Sequence, residues 1–329
     1  MNGINVSRYH ELRYPALWAR VLAGFMVVRL MNWLPVTIPV EEDENGDIRP
    51  IHDKDGNIAW MLTTADEIIS NESVAAGFWF GRNGYPPLRW QIALCNALGA
   101  KVWLCIPHTL SDAEAAKLIR YVAALAEFGV IVEWSNEVWN FDFWAVYELG
   151  GTAIDALMAQ AQHVIALRQM TADLENVDFV FATWANSKDQ WHTREVLKRT
   201  DVAKHVTAIA IAPYFGMKAT TLAEAATDVD RAVAVAKAHV AIAGDASIEC
   251  WHYEQGQHVE GMNSAEINRS PQMGALMCQY DNKMAMAGST LRNWYSGATA
   301  FGHRSFGIYE TKNGMPLATA KVAVARRLT

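Results

Sequence analysis

The sequence predicts an α/β fold of the (β/α)8 TIM-barrel type, and three observations carry that reading. Short, nearly continuous apolar runs recur along the chain, as in strands buried on both faces. Ala-rich amphipathic stretches separate them at intervals of roughly 30–50 residues, the length of one β-loop-α-loop unit. No GxGxxG or GxxxxGK[ST] follows any run, which removes the usual reason for the runner-up, an open doubly wound sheet around a nucleotide.

The elements follow in order. INV (4–6) is a thin candidate for strand one, so that strand is expected to be degenerate, or missing here with the true one upstream in a longer protein. VVRLMNW (27–33) reads as strand two. The long gap that follows holds residues 36–60, with Asn45-Gly46 and Asp55-Gly56 as turn signals. They predict a β-hairpin or three-stranded meander inserted after strand two. Its acidic run (Glu41, Glu42, Asp43, Glu44) lacks the glycine spacing and final Glu of a calcium loop and reads as a solvated tip. KVWLCIP (101–107) is strand three. SDAEAAKLIRYVAALAEF (111–128) is a helix, with Ser111 as N-cap and Glu114 completing a capping box. Residues 130–137, 177–185, 206–216, 247–254 and 289–297 supply strands four to eight, and residues 220–243 a long helix. Residues 1–329 are expected to form a single barrel domain.

Composition narrows the function. The chain has 329 residues, 51% of them hydrophobic and 19% charged, which suits a large core and excludes disorder. The net charge of −7 and the lack of a long basic stretch exclude nucleic acid as a partner. The run Val21 to Leu34 is broken by Arg29 and is too short to span a bilayer, so no membrane partner is expected. MNGINVSRYH has no apolar h-region, so no signal peptide is read and the location stays open. Cys95, Cys105, Cys250 and Cys278 form no CxxC pair and read as buried free thiols. The 13 Trp residues exceed ordinary usage; surplus Trp fills cores or offers flat faces to ligands such as sugars.

The chemistry concentrates at two strand ends. VIVEWSNEVWNFDFW (130–144) runs from an apolar strand into Ser135-Asn136-Glu137, and SIECWHYE (247–254) ends on Glu254. In a barrel these ends line the active-site mouth, with strands four and seven on opposite sides. Two facing carboxylates are what glycoside hydrolysis needs, one to protonate the leaving oxygen and one to attack the anomeric carbon or activate water. Glu133 reads as a buried structural carboxylate paired with a barrel Arg or His, and as the reserve acid. Glu249 is expected to face the helices. His252 and His258 flank Glu254, but no third ligand has metal-type spacing, so neither a metal nor a cofactor is called for.

EWSNEVWN, with Ile106-Pro107-His108 before it and PYFG (213–216) and YEQGQH (253–258) after it, resembles a group of glycosidase-like (β/α)8 barrel proteins. They belong to the clan of retaining glycosidases with the acid/base after strand four and the nucleophile after strand seven. RLMNW (29–33), LCNALGAKVWLCIPH (94–108) and SFGIYE (305–310) also look like family segments. The resemblance implies that Glu137 is the general acid/base and Glu254 the nucleophile. It implies that Asn136 binds the sugar 2-hydroxyl, that Tyr214 holds the nucleophile, and that Arg29 lies beneath it and keeps it ionised. Trp134, Trp139 and Phe141 are placed to wall Glu137. His108 could contact substrate, and Trp139, Trp184 and Trp251 are candidate sugar platforms. The sequence departs from the family at Gln255-Gly256, where Gly-Gly is usual, and at Ser305-Phe306-Gly307, where Ser-Trp-Gly is usual.

The resulting expectation is a retaining glycoside hydrolase of β-linked oligo- or polysaccharides, its carboxyl groups roughly 5–5.5 Å apart. The alternative is a non-catalytic carbohydrate-binding barrel within a larger surface or particle-associated protein. A metal-dependent hydrolase ranks below both, since no HxH follows a strand.

Overall fold

The structure, a computed structural model, describes residues 1–5, 15–31, 33–34, 36–52, 58, 61–70 and 86–327. Eight parallel strands close into a barrel and neighbour one another in chain order. They are Asn2–Asn5, Val27–Arg29, Lys101–Ile106, Val130–Trp134, Val177–Ala182, Ala208–Ile211, Glu249–Gln255 and Leu291–Trp294. Helices separate them, as expected of a (β/α)8 barrel. Within this barrel the chain divides into two compact units.

The first unit holds Met1–Arg29, Leu94–Lys101 and Ile209–Thr329. Strand one is present and short. Gly3 pairs with Val27 on one side and Asn293 on the other. A Cβ at Gly3 would stand 1.5 Å from the Asn293 side-chain oxygen, so a fuller residue has no room there. The helix Leu222–Asp245 opens with a capping box, Thr221 and Glu224 each bonding the other's backbone. After strand eight the chain adds a three-stranded sheet (Ala298–Thr299, Tyr309–Lys312, Met315–Ala318) and the helix Ala320–Arg327, which the sequence pattern did not separate from the barrel.

The second unit holds Leu30–Ala93 and Val102–Ala208. Strands three, four and five pair in regular parallel register, Cys105 opposite Glu133 and Glu133 opposite Val180. The inserted hairpin is there: Val40–Glu42 runs antiparallel to Ile48–Pro50. Asp43 closes its turn by accepting from the Asn45 and Asp47 amides, which hold its carboxyl below the usual range. The second turn signal, Asp55-Gly56, lies outside the described residues. The capping box expected at Ser111 forms only by half. Ser111 accepts from the Glu114 amide, but the Glu114 carboxylate accepts instead from Ala65 N–H, at the start of the helix Ala65–Ile69. A complete box sits at that helix, between Thr64 and Glu67.

The Trp surplus is mainly core: Trp18, Trp33, Trp103, Trp134 and Trp294 are fully buried. The four cysteines are free thiols. Burial pushes Cys95 and Cys250 up to about 12, so neither is a nucleophile; Cys278, expected to be buried, is partly exposed.

Candidate active site

Glu254 stands at the carboxyl end of strand seven, and a bulge aims it. Strand eight advances two residues from Arg292 to Trp294 while strand seven advances three, from His252 to Gln255. The extra residue falls at Tyr253-Glu254. Strict alternation would put His252 and Gln255 on opposite faces, yet their side chains bond each other at 2.9 Å. Bulges re-aim side chains in this way beside active sites. Here the buried Glu254 carboxylate meets the buried Arg29 guanidinium, Nη1 to Oε1 at 2.8 Å. The Tyr214 hydroxyl donates to its other oxygen. Arg29 also lies over the Tyr253 ring, 4.9 Å from its centroid.

Tyr214 is fixed by how PYFG joins the segment after strand seven. Phe215 N–H donates to the Gly256 carbonyl, and His258 N–H donates back to the Phe215 carbonyl. Gly216 and Gly256 turn the chain at φ +74° and +127°, where a side chain is strained. The Tyr280 hydroxyl holds the Pro213 carbonyl and Arg231 the Tyr214 carbonyl. His258 packs between the rings of Tyr214 and Phe306, which also touches Tyr295. Phe306 thus fills an aromatic wall on the Tyr214 side.

The other departure, Gln255, is a fastening. Its amide donates to buried Asp281 and accepts from His252, whose other nitrogen meets Ser289. Asp281 also takes two bonds from Arg292. This network ties strands seven and eight to the helix Pro271–Met286, and it directs His252 away from Glu254. Burial pushes the His252 imidazole down to about 4. The unfolded chain takes up that proton near the ordinary value of about 6.5. The neutral imidazole therefore contributes in full above pH 6.5, and stability should fall by up to about 3 kcal/mol as pH drops from 6.5 to 4. Urea unfolding of the wild type and of His252→Gln across that range measures it; the variant should show the shallower slope.

Glu137 lies in the other unit, in a different local setting. Strand four continues one residue past Trp134, with Ser135 N–H donating to the Ile106 carbonyl. Ser135 and Glu137 then take left-handed backbones, φ 63° and 45°, on either side of buried Asn136. Each such non-glycine residue costs about 1–2 kcal/mol, and paired outliers of this kind concentrate at functional sites. Asn140 closes the turn: its N–H donates to the Glu137 carbonyl and its amide to the Glu137 carboxylate at 2.9 Å. Two of the residues expected to wall Glu137 have ring partners of their own. Trp134 stacks on His163, centroids 4.3 Å apart, and Phe141 is exposed against Tyr147. Trp139 is buried. His108, also buried, stands 3.2 Å from Glu148 and holds that carboxyl below its usual range. Glu133 is buried and accepts from the Trp103 indole and the Cys105 thiol.

The remaining Trp candidates separate. Trp251 gives its indole N–H to Glu249, at the amino end of strand seven, away from the Glu254 end. Glu249 is exposed there and also accepts from Thr290. Trp184 is half-buried after strand five, tilted against His192. Sequence reasoning missed Asn140 and the Asp281 network; the i, i+3 spacing of Asn140 to Glu137 in a turn was the available signal for the first.

No protein-family model and no curated protein matches the sequence. Solved structures do. A 4-O-α-L-rhamnosyl-β-D-glucuronidase from Fusarium oxysporum aligns with 99% of this chain and 68% of its own, at TM-score 0.61 and 11% identity. A fungal β-1,4-galactanase aligns with 99% of this chain and 98% of its own, at 0.54 and 14%. The chain has the fold of these glycoside hydrolases. A β-galactosidase from the haloarchaeon Halorubrum lacusprofundi shares the same barrel over 99% of this chain and 57% of its own, at 0.52 and 13%.

Proposed function

We propose that this glycosidase-type barrel is a retaining glycoside hydrolase of β-linked oligo- or polysaccharides, with Glu254 as nucleophile and Glu137 as acid/base. The observation that carries the reading is the buried Glu254 carboxylate held between Arg29 and Tyr214. A buried ion pair adds little net stability, so a bulge that aims one at a strand end points to chemistry. The fold agrees, since the similar structures carry β-glucuronidase, β-1,4-galactanase and β-galactosidase activities in their names.

In the first step Glu254 attacks the anomeric carbon while Glu137 gives its proton to the departing glycosidic oxygen. A glycosyl ester on Glu254 results. In the second step Glu137, now a carboxylate, takes a proton from water as that water attacks the anomeric carbon, and Glu254 leaves ionised. Arg29 favours the ionised carboxylate in both resting states. Asn136 binds the 2-hydroxyl, and His108, Trp139 and Trp184 serve the sugar. The mechanism needs the two carboxyl groups roughly 5–5.5 Å apart.

Leaving-group dependence tests the acid. Glu137→Gln should slow hydrolysis of a β-glycoside with a poor leaving group by about 10²–10⁴-fold. A dinitrophenyl glycoside, which needs no protonation, should still form the glycosyl ester quickly. Equal losses on both substrates would remove Glu137 from the acid role. Sugar binding with no hydrolysis of any glycoside would favour the non-catalytic binding barrel.

A further inference from the structure

A second feature lies after strand five, wholly within the unit that carries Glu137. Strand five pairs with strand four, so the loop after Ala182 neighbours the loop that bears Glu137. A cavity of about 440 Å³ opens there, lined by Lys188, Asp189, Trp191, His192 and Arg194. This is within the size range of small-ligand pockets, ~300–1,000 Å³. Trp191 is 47% exposed, a large apolar face left in water. His192 packs against both Trp191 and Trp184, at centroid distances of 4.8 and 5.2 Å, and backs the exposed indole.

The electrostatics of the pocket favour an anion. Two of its lining side chains are cations, Lys188 and Arg194, against the single carboxylate of Asp189. Arg194 is oriented by its Nε bond to the Asp189 carbonyl at 3.3 Å. The pocket sits at the start of the nine-residue helix Trp191–Arg199, whose first turn has no acidic residue and whose N-cap, Gln190, makes no side-chain cap bond. The positive end of that helix is therefore uncompensated by its own sequence. Asp189 and Gln190 hold consecutive left-handed backbones, both at φ 52°, an arrangement that costs energy and places Trp191.

We propose that this pocket is a distal subsite for a uronic-acid residue of an acidic glycan: the pyranose ring stacks on Trp191 and its carboxylate meets Lys188 and Arg194. Apolar C–H faces of a sugar suit an exposed indole, and charge-assisted bonds select the carboxylate. The assignment rests on the glycosidase reading for the polymer, while binding itself requires no turnover.

Calorimetry on the full chain carrying Glu137→Gln, which slows turnover of unactivated glycosides, tests it. The probes are a β-linked tetrasaccharide containing glucuronate and the same tetrasaccharide carboxyl-reduced to glucose. The acidic probe should bind about tenfold more tightly, with the margin shrinking at high salt. Lys188→Gln with Arg194→Gln should remove the margin, Trp191→Ala should weaken both probes, and Asp189→Asn should widen it. Equal binding of the two probes, a margin that survives the double substitution, or no binding of either would overturn the subsite. If the margin appears but the wild type hydrolyses nothing, the subsite stands and the catalytic reading falls. If hydrolysis occurs without the margin, the reverse holds.

Discussion

Glu254→Gln should lower kcat on aryl β-glycosides by at least about 10³-fold, because it removes the atom that forms the covalent bond. The amide oxygen can still accept from Arg29 while its NH2 donates to the Tyr214 hydroxyl oxygen, so the loss should exceed any loss of folding. Shortening the side chain instead, as Glu254→Ala, opens a space beside Arg29 that a small anion can enter. Azide should then restore turnover of a dinitrophenyl β-glycoside and yield the α-glycosyl azide, the product of a single inversion. Chromatography of the products reads this directly. Near wild-type activity in either variant would take Glu254 out of the reaction.

Asp281→Ala should be the most damaging substitution for stability outside the barrel interior. Asp281 is fully buried and serves Gln255 and Arg292 together. Its removal leaves the guanidinium buried without its carboxylate, a situation that costs about 3–5 kcal/mol. Urea denaturation measures the loss, and thermal unfolding should shift with it. Asp281→Asn keeps one acceptor and should lose less. A change under about 1 kcal/mol for the alanine variant would mean that water already serves the Arg292 head group.

The barrel was legible because each buried strand is a compact apolar run and each helix is Ala-rich. Strands two to eight begin where those runs begin, or within two residues of it, and the hairpin follows its Asn45-Gly46 turn. Strand one was faint because a strand built on Gly3, against the Asn293 side chain, has no apolar run to display. Arg29 and Tyr214 beside Glu254 were named in advance, and the geometry brings those three side chains together. What periodicity could not reveal was the bulge. A one-residue slip in strand seven turns Gln255 toward Asp281 and Glu254 toward Arg29, and alternation counted along the sequence assigns such faces wrongly. Trp134 is three residues from Glu137 in the chain, and its ring stacks on His163, a contact that sequence order does not display. Trp251 is three residues from Glu254 in the chain, and its indole N–H is given to Glu249 at the amino end of the strand.

Covalent trapping tests the central claim most directly. Wild-type protein is incubated with a 2-deoxy-2-fluoro β-glycoside that carries a dinitrophenyl leaving group. The fluorine slows both steps by destabilising the oxocarbenium-like transition state, and the leaving group restores only the first, so the glycosyl ester accumulates. Mass spectrometry of the proteolytic digest should show one adduct, on the peptide that contains Glu254, and none in Glu254→Gln. A label on another residue, or steady hydrolysis of aryl glycosides with inverted product and no label, would contradict the double-displacement mechanism with Glu254 as its nucleophile.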